Sequence, residues 1–295
     1  MNIYIYRTDL LILQNSLTLH ILFYKISLLK AMKSFTENLL KQFFIEIFHI
    51  LREMDTSVIE IWLEFSKIPF LNQFKKTELK EFIAQFNFLS LKKGNYQFYI
   101  VINKILFIIE AFKISELDIR QVSEIINHSG FEIFVQEILS KNGYKTIRNF
   151  RFSDKSNFKS KTLQKRYEID IVGIYSKYIL IIDAKQWKRK DSFGSINKAA
   201  DLQYQRAIAL KKNPEIISKI IQDLLGGKSE LKKRQPFLLI PMMVTLEDNS
   251  NRLNSNQIPL VSIYELNSFL LELHNNLHYF KIIKITKLSM QQKII

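Results

Sequence analysis

Two apolar runs set the strongest constraint on how this chain can fold: Arg166–Tyr175 (RYEIDIVGIY) and Tyr178–Lys185 (YILIIDAK), separated only by Ser176-Lys177. β-Branched and aromatic residues dominate both, and two polar residues between such runs read as a hairpin loop. With a two-residue loop, Tyr175 stands opposite Tyr178, Val172 opposite Ile181, Asp170 opposite Asp183 and Glu168 opposite Lys185. Directly opposite residues share a face. One face is therefore expected to carry Glu168, Asp170, Asp183 and Lys185 beside Val172, Ile174, Ile179 and Ile181. The other carries Ile169, Ile171, Leu180, Ile182 and Ala184. A strand pair that is apolar on both faces belongs inside a sheet covered by helices.

The flanking pattern agrees with that placement. Residues 130–141 repeat Phe131, Phe134, Val135, Ile138 and Leu139 at helical spacing, and Asn142-Gly143 reads as the end of that helix. Strands are expected at 144–152 and 236–245, and helices at 195–212, 214–225 and 263–275. Interleaved strands and helices predict an α/β domain over 129–295. Residues 1–128 hold one glycine and one proline, Gly94 and Pro69, and so read as a mostly helical N-terminal domain. Helices are expected there at 35–52, 56–67, 76–86, 103–113 and 117–126, with a ribbon over 89–102 that turns at Lys93-Gly94. The helices at 103–113 and 117–126 read either as ordinary packing or as part of a helix-turn-helix or winged helix. Met32 opens a more ordinary helical sequence, so residues 1–31 read as an over-extended start.

Two ionised carboxylates at cross-strand distance, about 5 Å, repel by about 3–4 kcal/mol at an effective dielectric near 20. Asp170 and Asp183 thus need compensation. Lys185 offers some, and a divalent cation offers more. Oxygen donors suit Mg²⁺ or Mn²⁺, and such a site can neutralise charge on a phosphodiester. The alternative is a satisfied structural cluster, Glu168 with Lys185 and Asp183 with a nearby arginine.

Charge favours the phosphodiester. The chain carries 43 Lys/Arg against 28 Asp/Glu, a net +15. Residues 1–128 contribute 15 against 13, and residues 129–295 contribute 28 against 15. Segment 141–166, leading into the hairpin, has nine basic residues and one acid, Asp154. A field of this sign attracts polyanions, nucleic acid first. The absence of cysteine excludes a disulfide scaffold, a thiol nucleophile and cysteine-ligated zinc. The five histidines are spread without tight ligand spacing beyond His274/His278, so any metal is expected on carboxylates. The uncharged stretch Leu10–Tyr24 is too short and too polar to cross a membrane and lacks the features of a signal peptide. A cytoplasmic protein without membrane attachment is expected.

Asp170, followed on the next strand by Asp183-Ala184-Lys185, resembles the Asp…(Asp/Glu)-X-Lys core of the PD-(D/E)XK nuclease superfamily. Gly130-Phe131-Glu132 opening a helix, with Gly143-Tyr144 after it, resembles the first helix of its Mrr-like and archaeal restriction-endonuclease-like branches. The likeness covers about residues 115–285. It implies a restriction-endonuclease-like core, a central mixed β-sheet flanked by helices. It also implies a Mg²⁺-dependent endodeoxyribonuclease, with Mn²⁺ as a substitute ion. Asp170 and Asp183 would be metal ligands, joined by the Ala184 carbonyl and, through water, by Glu132. Lys185 would orient the attacking water or stabilise phosphoryl charge. Glu132 is preferred to Glu137, which falls about 140° away around the helix. Gln203, on the helix at 195–212 with Tyr204 and Arg206, matches a glutamine that faces the site in related nucleases; an ordinary surface residue is the alternative. Trp187 could stack on a base or pack in the core. Ile169 stands where the superfamily name has proline, and Asp183 where Glu is frequent.

DNA is the expected partner, and a homodimer is expected where both strands are cut. The alternatives are a Holliday-junction-resolvase-like enzyme on branched DNA, a non-catalytic nucleic-acid-binding module on the same fold, and an RNA nuclease. Gly226-Gly227-Lys228-Ser229 lacks the spacing and preceding strand of a phosphate loop.

Overall fold

The computed structural model describes residues 36–114, 118–154, 166–186, 193–226, 235–246, 248, 251–286 and 288. The readings of residues 1–31, of Trp187 and of most of the Gly226–Pro236 connector lie outside them. The chain divides into two compact units between Gly130 and Phe131.

The first unit is built on α1 (Glu37–Arg52), which Thr36 caps by accepting the amide of Leu39 at 3.3 Å. Strand β1 (Glu60–Glu64), two 3₁₀ turns (Phe65–Lys67 and Pro69–Gln73), α2 (Lys76–Ile83) and the ribbon β2 (Leu89–Lys93) and β3 (Phe98–Asn103) follow. The helix expected at 56–67 is not formed. Glu60-Ile61-Trp62-Leu63-Glu64 alternates exposed and buried, which is the period of a strand, and β1 joins an antiparallel sheet in the order β1-β3-β2. The first half is therefore not simply helical. Helices α3 (Lys104–Ile114) and α4 (Ile119–Ile125) complete the unit.

Its core is aromatic. Phe43 lies within 5.0–6.2 Å, ring centre to ring centre, of Phe44, Phe70, Phe82, Phe86 and Phe88. Beside it the Lys104 side chain is wholly buried, and its Nζ donates to the carbonyls of Asp55 at 2.7 Å and Ile125 at 3.1 Å. Burial pushes the Lys104 amine below its ordinary value, against the pull of Asp55. Lys104→Ala removes the donor for both carbonyls and leaves a void. We expect it to lower unfolding free energy by about 1–3 kcal/mol, read by urea denaturation. An unchanged midpoint would mean that water replaces the amine without cost.

The second unit is α/β. Helix α5 (His128–Lys141) starts two residues earlier than its apolar stripe suggests, because Asn127 caps it by accepting the amide of Gly130 at 2.9 Å. It ends at Gly143, whose φ of +81° suits glycine. Strands β4 (Lys145–Ser153), β5 (Arg166–Tyr175), β6 (Tyr178–Lys185), β7 (Phe237–Thr245) and β8 (Leu260–Ser262) form one mixed sheet in chain order, and β9 (Ile283–Ile285) also pairs with β7. The β4-β5-β6 pairings are antiparallel, whereas β6-β7-β8 run parallel. Parallel pairing needs a crossover, and α6 (Phe193–Lys212) and α7 (Pro214–Leu225) supply it between β6 and β7. Their residues Ala207, Leu210, Ile217 and Ile221 pack with Val172, Ile174, Ile179 and Ile181. A Cβ on Gly173, on the opposite face, would meet Leu139 of α5 at 3.6 Å. Helix α8 (Ile263–Asn276) follows β8. No helix among the described residues is long and apolar enough to cross a membrane.

Candidate active site

The β5-β6 register is the one the two-residue loop dictates, from Tyr175 opposite Tyr178 to Ile171 opposite Ile182. Ladder pairing stops there, one pair short of Asp170 and Asp183. On the other side, β4 and β5 pair on both flanks of Asn149 and Asp170 but not at that position, and Asn149 has a φ of 52°. Strict alternation breaks at this point. Ile169, expected on the face opposite Val172, packs in the same cluster as Val172 and Ile174, and Ile147 and Phe150 of β4 both pack against that cluster. Asp170 thus sits in a local kink shared by two strands, in the manner of a bulge that re-aims a side chain.

The kink gives Asp170 a backbone partner. Its Oδ2 accepts the Ala184 amide at 2.9 Å. The Lys185 Nζ lies 3.7 Å from that same oxygen and 3.3 Å from Asp183 Oδ1. Asp170, Asp183 and Lys185 therefore converge. Glu168 does not join them. It stands opposite Arg151 of β4 and accepts from its guanidinium at 3.0 Å in a solvent-exposed pair. The expected Glu168–Lys185 opposition fails because alternation shifts at Asp170.

Asp183 is 1% exposed and holds a second cation: Arg206 Nη1 of α6 donates to its Oδ1 at 2.8 Å. The same nitrogen donates to Gln203 Oε1 at 2.8 Å. Gln203 is fully buried, one helical turn before Arg206, and its Nε2 has no hydrogen-bond partner among the described residues. Burial pushes the Asp170 carboxyl above its ordinary value, and the Asp183 charge adds to this. Lys185, the Ala184 amide and Arg206 pull the other way without cancelling it.

Glu132 is buried on α5, whereas Glu137 is half-buried and faces Lys141 at 4.0 Å. His128 precedes Glu132 by one turn of the same helix. Ligand atoms of His128, Glu132 and Asp170 all lie within 4.8 Å of one another, so this group could hold a metal ion. A histidine in this group was not foreseen, because histidine-to-histidine spacing is blind to a His/Glu pair at i, i+4. Arg206 was likewise not assigned to Asp183, although its three-residue offset from Gln203 puts both on one helix face. The donor set fits a divalent cation: buried carboxylates on adjoining elements, one of them resisting ionisation, and an imidazole that extends the choice toward Mn²⁺ and softer ions.

No protein-family model matches the chain, and no curated protein matches it. Among solved structures, the chain is similar to protein VC1899 from Vibrio cholerae, at 12% identity and a TM-score of 0.29, over 75% of this chain and 47% of that one. The chain thus spans about half the length of that protein.

Proposed function

We propose that this protein is a metal-dependent DNA endonuclease whose second unit has a restriction-endonuclease-like core. The observation that carries this reading is the convergence of Asp170, Asp183 and Lys185 at the kinked end of a buried strand pair.

Asp170 and Asp183, with Glu132 and the Ala184 carbonyl, would hold Mg²⁺ or Mn²⁺, and His128 would favour the latter. The cation supplies charge neutralisation at the phosphodiester and makes water more acidic. Lys185 directs its ammonium between the two carboxylates, where it can orient the attacking water or meet charge that builds on the phosphoryl oxygens. Water oxygen bonds to phosphorus and the bond to the 3′ oxygen breaks. The 3′ oxygen takes up a proton, water gives one up, and the products are a 5′-phosphate and a 3′-hydroxyl.

The edge strand β4 brings Lys145, Arg148 and Arg151 to the same sheet, in keeping with a polyanionic substrate. In the first unit, the order α1-β1-α2-β2-β3 with the sheet order β1-β3-β2 fits a winged helix. Its ribbon turn carries Lys92, Lys93 and a fully exposed Tyr96 for backbone contacts with DNA. On this reading the winged helix would lie over residues 37–103, and not in α3 and α4. Two copies would cut both strands.

Supercoiled plasmid and a synthetic four-way junction, each with Mg²⁺, Mn²⁺ or EDTA, test the proposal. Metal-dependent nicking is expected, with Mn²⁺ at least as effective as Mg²⁺. Preference for the junction would make the enzyme a resolvase. Salt-sensitive binding to DNA without cutting under any divalent ion would leave a non-catalytic module, and cutting confined to RNA would replace the substrate.

A further inference from the structure

We propose that Arg206 occupies Asp183 as an exchangeable cation: a metal ion displaces it, and the released guanidinium then binds a phosphate oxygen of the substrate. The inference deepens the nuclease reading and rests on it for the second step.

Asp183 Oδ1 has two positive partners, Arg206 at 2.8 Å and Lys185 at 3.3 Å. The carboxylate side chain is 2% exposed, so water screens little of this charge. A third positive centre on the same carboxylate would be repelled by both. One of the two must withdraw, and the surroundings select which. Lys185 is also shared with Asp170 and projects from the same strand as Asp183. Arg206 reaches in from α6 on a longer side chain that is 15% exposed, and its remaining contact is a neutral carboxamide oxygen, that of Gln203. Among the described residues its guanidinium bonds through Nη1 alone, which leaves Nη2 and Nε for a pair of phosphate oxygens. A guanidinium fork matches such a pair, and it is more weakly hydrated than an ammonium group.

An arginine that merely buttresses Asp183 and one that competes with the metal predict opposite signs. The full chain and Arg206→Gln would be titrated with Mn²⁺ by calorimetry, without DNA, after thermal melts show that the variant folds. Competition predicts that R206Q binds Mn²⁺ about fivefold more tightly, because a rival cation is gone. The same variant should bind an uncut DNA duplex more weakly in Ca²⁺, with a salt dependence reduced by about one phosphate contact. If R206Q does not fold, Arg206→Lys keeps the charge and loses the fork. Mn²⁺ affinity within about twofold of wild type and weaker duplex binding in Ca²⁺ would then support the exchange. Weaker or equal Mn²⁺ binding by R206Q, or a large loss of it in R206K, overturns the inference. Wild type that takes up no Mn²⁺ overturns it together with the nuclease reading. Tighter Mn²⁺ binding in R206Q with no DNA cut by any form would leave the exchange standing and remove the nuclease.

Discussion

Asp170→Asn is expected to cut DNA at least about 10³-fold more slowly than wild type and yet to unfold at a higher temperature. The loss follows from removing a hard anionic donor from the proposed cation site, where several kcal/mol of transition-state stabilisation are at stake and each 1.36 kcal/mol is about tenfold in rate. The gain follows from the site as it stands. Asp170 is 8% exposed and shares Lys185 with Asp183, and its carboxyl is held above the ordinary 3.8 chiefly by burial and then by Asp183. Asparagine keeps an oxygen for the Ala184 amide while shedding the charge. A carboxyl raised in the folded state imposes no penalty below its unfolded value and the full penalty above its folded one. The variant's advantage should thus grow as pH rises above 3.8 and shrink as pH falls toward it. Plasmid cleavage with Mg²⁺, and thermal melts in EDTA at two pH values, read both effects. Wild-type cutting by D170N would remove Asp170 from the chemistry. A variant less stable than wild type at neutral pH would mean that Lys185 and the Ala184 amide more than offset burial, so that the site carries no strain.

The parts of the site that were legible in the sequence are those set by local rules. The hairpin register from Ile171–Ile182 to Tyr175–Tyr178 follows from apolar alternation around a two-residue loop, a local rule. The same rule, extended three residues further, misplaces Glu168 and Ile169. The cause is not local: Asn149, on a strand separated in sequence by residues 154–165, adopts a left-handed backbone opposite Asp170, and both strands shift face together. Asp170, Asp183 and Lys185 could be grouped because they lie on one hairpin. Arg206 and His128 could not, since each arrives from a helix whose approach is set by the packing of the whole unit. Elsewhere, β8 and β9 have three residues each, too few for a periodic signal. Strand β1 was legible: Glu-Ile-Trp-Leu-Glu alternates, but the scarcity of glycine and proline around it favoured a helical reading.

The first unit depends on its phenylalanines, and Phe43→Ala is expected to cost it about 3–5 kcal/mol. Phe43 is wholly buried, and five other rings stand within 6.2 Å of it, so truncation removes packing that no single neighbour can restore. A domain of this size has about 5–15 kcal/mol of stability in all, so the variant should sit close to unfolding. The chain has two tryptophans, Trp62 in β1 and Trp187 after β6. Trp187→Phe makes Trp62 the reporter of the first unit alone, and urea melts of F43A in that background give the loss directly. A cost below about 1 kcal/mol would mean that the surrounding rings close the void. Cleavage kinetics near the lowered midpoint then tell what this unit does for the proposed enzyme. If its ribbon holds DNA while the chemistry lies with Asp170 and Asp183, KM for a duplex should rise as the unit melts and kcat should hold. A matching fall in kcat would mean that the chemistry depends on this unit for more than holding DNA.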